Sequence, residues 1–222
     1  MFENDTLKHH IQRQIVRLLM FQEYARFSDL CPPRVDTNLF SYHLKLLQKQ
    51  GYVAKTDQGY TLSRMGLRYV DRISTDKMQM RTQPKIITML LVQDGYGKVL
   101  LQKRTKQPYI NTWTLPYGKL HIDDVTLLDA ARREAREKLD FDPHKLRHVG
   151  DCYIRVMADG EVESTTLAHI IRFETDAIPA ADHLQWVEPL DLPKLRLAPA
   201  VEQIVTRSFF GDTFFFEEFT TE

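Results

Sequence analysis

Apolar residues in the first third of the chain recur at three- and four-residue intervals, the spacing of one helical face. Over residues 6–24 they place Ile11, Ile15, Leu18, Leu19 and Tyr24 inward, and residues 26–30 predict a second, short helix ended by Pro32 and Pro33. Asp36 or Thr37 caps a third helix over 38–50, with Phe40, Leu44 and Leu47 toward the core. Gly51 stops it, at a position that commonly needs a left-handed residue. The period then drops to two: residues 52–56 and 60–62, joined by a turn at Asp57-Gln58-Gly59, predict a hairpin, and Ser63 opens a further helix to about Ile73.

Residues 74–83 show no period and lead into Pro84, so they predict a linker. Beyond them the pattern is that of strands: 86–92 and 99–104 around a turn at 94–97, then 146–156 and 161–173 around Asp159-Gly160. An edge piece over 186–190 and a closing helix over 199–207 follow. The chain therefore divides into a first domain over 1–76, a linker over 77–83 and a second domain over 84–222, in an α+β protein.

Residues 113–141 carry the densest chemistry. A short strand runs into a glycine turn at Gly118 and then into a helix whose stripe is Leu127, Leu128, Ala131, Ala135 and Leu139. Glu134 and Glu137 border that stripe, three residues apart on one face. Carboxylates there are half-desolvated and suit a hard divalent cation, Mg2+ or Mn2+.

This stretch resembles the Nudix box of MutT-like hydrolases, G-x(5)-E-x(7)-R-E-U-x-E-E-x-G-U with U aliphatic. Gly118 matches the first glycine, Arg133-Glu134-Ala135-Arg136-Glu137 matches R-E-U-x-E, and Trp113-x-Leu115-Pro116 with the upstream run 99–104 adds to the likeness, over roughly residues 84–209. The resemblance implies an α/β/α sandwich that hydrolyses nucleoside diphosphate derivatives. It also implies that Glu134 and Glu137 are catalytic metal ligands, with Glu134 in addition a general base, and that the Gly118 carbonyl faces the metal. Arg104 and Lys103 would meet a pyrophosphate, and Tyr117 would stack on a base or ribose or close the pocket where glycine would leave it open. Glu161, Glu163 and Glu174 are equal candidates for a further acid.

The box departs from its pattern at Tyr117, in place of a second glycine, and at Asp140, in place of the late one. Asp123 or Asp124 replaces the upstream glutamate, with one extra residue before Arg133, and suits capping of the next helix better than reach to a metal. Lys138 occupies the second position of the Glu-Glu pair, where an ammonium one turn from Glu134 forms an i,i+4 pair and competes with the metal.

Three helices and a hairpin within some 60 residues follow the order of a winged helix-turn-helix, and the stretch 40–53 with 60–66 resembles the recognition helix and wing of ArsR-like bacterial regulators. The resemblance implies that Asn38, Ser41, Tyr42, Lys45 and Lys49 enter a DNA major groove, while Arg34 and Lys55 meet phosphates. It also implies a dimer surface on the helix from Arg64 to Ile73, where Leu67 and Val70 equally suit the local core. A module for dimerisation or protein contact is the other reading of the surface that α-helical residues 38–49 present.

Charge changes this picture little. The net charge is zero, but residues 1–80 hold twelve Lys or Arg against eight Asp or Glu, leaving about +4 there and about −4 in the rest. Two distant cysteines, Cys31 and Cys152, argue against a disulfide framework and for a reducing cytoplasm. No stretch has the pattern of a signal peptide or of a membrane span. The eight histidines are scattered, which argues against a zinc site. The tail holds six phenylalanines within residues 209–219, and such a surface is expected to pack on the first domain or across a homodimer interface. Two functions are carried forward: a transcriptional regulator that senses a nucleotide-derived metabolite, and a Mg2+-dependent hydrolase whose first domain serves dimerisation or localisation. A pure interaction protein ranks third.

Overall fold

The computed structural model describes residues 7–74, 83–209 and 213–221. The expected linker at 77–83 lies outside them except for Gln83. The chain divides into two compact units, Met1–Thr82 and Gln83–Glu222.

The first unit runs α1 (His10–Met20), α2 (Phe27–Leu30), α3 (Thr37–Lys49), β1 (Val53–Thr56), β2 (Gly59–Leu62) and α4 (Arg64–Val70). Side chains start each main helix: His9 accepts from the amide of Ile11, Asp36 from those of Asn38 and Leu39, and Ser63 from that of Gly66. Gly51 follows α3 at φ +82°, the left-handed stop expected there. Ile11, Ile15, Leu19, Phe40, Leu44 and Leu47 form the core with Tyr52 and Leu62. Tyr24 lies outside it, 38% exposed, because α1 ends at Met20 and the chain leaves the helical period before reaching it. Val70 packs on this core, whereas Leu67 is 56% exposed.

The second unit is an eight-stranded mixed sheet with a helix on each face. Its strands are β3 (Lys85–Gln93), β4 (Val99–Lys103), β5 (Trp113–Thr114), β6 (Tyr117–Lys119), β7 (Arg147–Ala158), β8 (Glu161–Glu174), β9 (Leu184–Val187) and β10 (Phe215–Thr221). The order is β10-β7-β8-β3-β4-β5, with β6 beside β3 and β9 beside β4. Strand alternation sorts the side chains. Ile87, Met89, Leu91, Ile154 and Ile170 face α6 (Val201–Phe209), and Leu90, Val92, Ile171 and Phe173 face α5 (Leu127–Leu139). Among the described residues no helix is long and apolar enough to cross a membrane.

The tail corrects an expectation. Phe215–Thr221 adds in parallel to β7, at the edge of this unit's own sheet, a place the tail's expected partners did not include. An exposed edge offers unpaired amides and carbonyls, and β10 satisfies them while its alternation buries Phe215 and turns Phe216 outward. Phe210 lies outside the described residues.

One buried group is expected to make the first unit sensitive to acid. His43 is 6% exposed, its Nδ1 has no hydrogen-bond partner among the described residues, and its ring stacks on His9 at 3.8 Å. Burial, and then the nearby His9 and His10, hold its pKa below the ordinary histidine value. A depressed histidine pKa leaves the stabilisation complete above about pH 6.5 and removes it as the unfolded chain, but not the folded one, takes up the proton below that. Hydrogen exchange over residues 7–74 at pH 7.5 and 5.5 is therefore expected to show lower protection in acid, with a smaller difference in His43→Gln. Equal slopes for the two proteins would remove His43 from this account.

Candidate functional site

Helix α5 is fixed at its start by Thr126, whose hydroxyl accepts from the amide of Asp129. This corrects the capping role expected of the neighbouring aspartates. Asp124 instead grips Arg133, with Nε–Oδ1 3.0 Å and Nη2–Oδ2 2.8 Å, and accepts from the amide of His121 at 2.7 Å. Asp123 is exposed. The Arg133 guanidinium holds the Asp124 carboxyl below the usual carboxylate range, and Asp124 in turn raises the pKa of Arg133. At the other end Asp140 closes the helix at φ +49°, a left-handed position that favours glycine and that aspartate tolerates better than most residues.

Glu134 stands at the centre. It is 3% exposed, and its carboxylate lies against the backbone of Gly118 so closely that a Cβ there would come within 1.6 Å of its Cδ. Gly118 is thus not in a turn, as expected, but in β6, paired with Thr88 across the ladder. It is small because the carboxylate occupies the space of a side chain. One Glu134 oxygen faces Arg133 Nη1 at 2.6 Å, and the other faces Lys138 Nζ at 3.2 Å. The i,i+4 pair expected of Lys138 is present. Glu137 lies outside this enclosure, its side chain 55% exposed and 3.7 Å from Arg133.

A hard dication needs oxygen donors whose charge is free to face it. Here both oxygens of the buried carboxylate already face cations, and an ammonium stands beside them. The donor set in this arrangement does not fit Mg2+ or Mn2+.

Tyr117 and Arg104 come together on the opposite, α6-facing side of the sheet. The Tyr117 hydroxyl accepts from Arg104 Nη1, and Arg104 Nε donates to the Pro108 carbonyl at 2.8 Å. With Tyr109, Met89, Ile154 and Ser164 they line a cleft. Burial pushes the Tyr109 phenol above its ordinary pKa, and its hydroxyl meets Glu163 at 3.2 Å. Tyr109 is a cleft residue that sequence reasoning missed, since it lies in a loop with no periodic signal. Lys103 points elsewhere, 5.9 Å over the Trp113 ring, and Glu174 pairs with Arg172 at 3.2 Å. Tyr117 joins the two sides. Lys138 Nζ donates to its carbonyl, and its ring lies 5.2 Å from Lys138 Nζ and 5.4 Å from the Arg104 guanidinium.

In the first unit Arg34, Asn38, Tyr42, Lys45 and Lys49 are exposed and Ser41 is half-buried. Asn38, Ser41, Tyr42, Lys45 and Lys49 lie on the side of α3 opposite Phe40, Leu44 and Leu47, and Arg34 precedes the helix. Lys55 is exposed on β1, 5.9 Å over the Tyr60 ring.

A NUDIX domain model matches residues 83–208, which is more than half of the chain. The chain belongs to the NUDIX family. The NUDIX domain of Shewanella oneidensis NrtR, solved with ADP ribose, is similar to it in fold, with a TM-score of 0.50 and 16% identity over 65% of this chain and 96% of that one. A mMutator MutT protein from Bacillus halodurans is similar too, with a TM-score of 0.51 and 18% identity over 61% and 89% of the two chains. No curated protein matches the chain.

The contact at Gly118 is testable in the NUDIX unit. A Gly118→Ala methyl must displace Glu134, which can swing away only by leaving both cations, so a loss of about 1–3 kcal/mol is expected, as for other overpacked sites. Urea denaturation followed by circular dichroism measures it. An unchanged midpoint would show that Glu134 is not confined as described.

Proposed function

We propose that the protein is a NUDIX-family transcriptional regulator, in which the NUDIX unit binds a nucleotide-derived metabolite and the first unit, a winged helix-turn-helix, binds DNA. The pairing of buried Glu134 with Lys138 carries this reading. A carboxylate neutralised from both sides cannot readily recruit a metal or take a proton from water, while the cleft across the sheet keeps its binding groups. Arg104 has guanidinium donors left for a phosphate, and the rings of Tyr109 and Tyr117 offer stacking surfaces for a base or ribose. The likeness to the Shewanella domain makes ADP ribose the first ligand to try. Regulation requires that the ligand favour one arrangement of the units over another, in a cytoplasmic homodimer.

The competing reading is a hydrolase, and the retained Gly118, Arg133, Glu134 and Glu137 favour it. The two are separated by incubating the full chain with ADP ribose and related nucleoside diphosphates in Mg2+ or Mn2+, beside Lys138→Glu and Glu134→Gln. The regulator predicts no turnover by wild type and stabilisation of the folded state by about 2.7 kcal/mol at ligand one hundredfold above Kd, read as a rise in Tm. Turnover should then emerge in Lys138→Glu. Turnover by wild type that vanishes in Glu134→Gln would establish the enzyme instead.

The DNA-binding half has its own test. On a promoter-derived duplex, Lys45→Ala and Lys49→Ala are each expected to weaken binding and to lower the slope of log K against log salt by about 1 for each phosphate that is no longer neutralised. A slope unchanged in both variants would remove α3 as the recognition helix.

A further inference from the structure

Three ligating side chains converge on the α5 side of the sheet, in the same cross-strand row as Gly118, with His169 two strands from it. Asp151 Oδ1 lies 2.7 Å from His148 Nε2 and 2.6 Å from His169 Nδ1, and the three ligand atoms lie within 4.8 Å of one another. Spacing along the chain hides the group, because His169 sits on β8 opposite Asp151 on β7, eighteen residues away.

A regular strand would not build it. Residues three apart on a strand point to opposite faces, so His148 and Asp151 should diverge. The register between β7 and β8 shifts between His148 and Gly150, inserting Val149 as a bulge. His148 is thereby paired with Ile171 and Asp151 with His169, two residues of β8 on the same face. Bulges of this kind re-aim side chains next to functional sites.

Beside the cluster the row continues from His169 to Thr88 and on to Gly118. Thr88 is fully buried and its hydroxyl has no partner among the described residues. Among the described residues no lysine or arginine pairs with Asp151, in contrast with the two cations on Glu134. The remaining nitrogens, His148 Nδ1 and His169 Nε2, make no hydrogen bond within the described residues.

We infer that His148, Asp151 and His169 form a binding site for a borderline transition-metal dication of the Zn2+ class. Two imidazoles and one carboxylate are a donor set for such ions and not for Mg2+, which prefers oxygen. Bonds of about 2.0–2.1 Å hold tetrahedral ligands about 3.3 Å apart, so metal entry replaces the two hydrogen bonds with a spreading of about 0.6–0.7 Å. Three protein ligands leave a position for water or an incoming group. The site does not depend on the NUDIX box binding a metal.

The test uses the chelator-treated full chain, titrated with Co2+ while its visible absorption is followed, and with Zn2+ by calorimetry. One equivalent is expected to bind and to raise Tm, with affinity at least about tenfold lower in His169→Gln and in His148→Gln, whose native side chain is 27% exposed and so the safer one to replace. The inference is overturned if wild type takes up no stoichiometric metal. It is equally overturned if folded His148→Gln and His169→Gln both bind as tightly as wild type, which would place the metal on other histidines such as His9 and His10.

Discussion

Glu134, buried against Gly118 and paired with two cations, constrains the structure around it. A carboxylate at 3% exposure is costly unless its charge is answered, and Arg133 and Lys138 answer it, one at each oxygen. Several features follow from that placement. Gly118 can carry no side chain, α5 must lie where Glu134 reaches β6, and Asp124 must hold Arg133 in place from the preceding loop.

Strand alternation then divides the chemistry between the two faces. Gly118 opens toward α5 and the Glu134 pair, while Tyr117, its neighbour in β6, turns its ring toward the cleft on the α6 side. The residues expected to form one site are thus two groups back to back, connected through Tyr117 and the cations at its ring and carbonyl. A ligand in the cleft would meet Arg104 and Tyr117 directly and would feel Lys138 through the same tyrosine.

The fold was largely legible because periodicity and caps are local. Asp36, Ser63 and Gly51 mark their helices whatever packs around them, and the alternation of the strands needs no partner to be seen. What escaped depends on distant contacts. Gly118 reads as a turn until Glu134, sixteen residues later in the chain, is placed against it. Asp124 reads as a helix cap until Arg133 folds back to it. The tail announces burial through its phenylalanines, but only the free edge of β7 determines where it lands. His148 and Asp151 look unrelated because a bulge, which leaves no mark in the pattern, turns them to one side.

Spacing revealed the Lys138 pair, but burial gives it its weight. On a solvated helix an i,i+4 pair of Lys and Glu contributes about 0.3–0.5 kcal/mol, too little to direct a function. Around Glu134 the medium is protein, and charges at 3.2 Å interact several times more strongly there than in water. The Lys138 side chain, 29% exposed, also donates to the Tyr117 carbonyl, so it is held by more than charge. A metal entering beside Glu134 would have to break both contacts and leave an ammonium next to a dication. Replacing an acid by a lysine at this one position therefore turns a group suited to gathering cations into one already supplied with them.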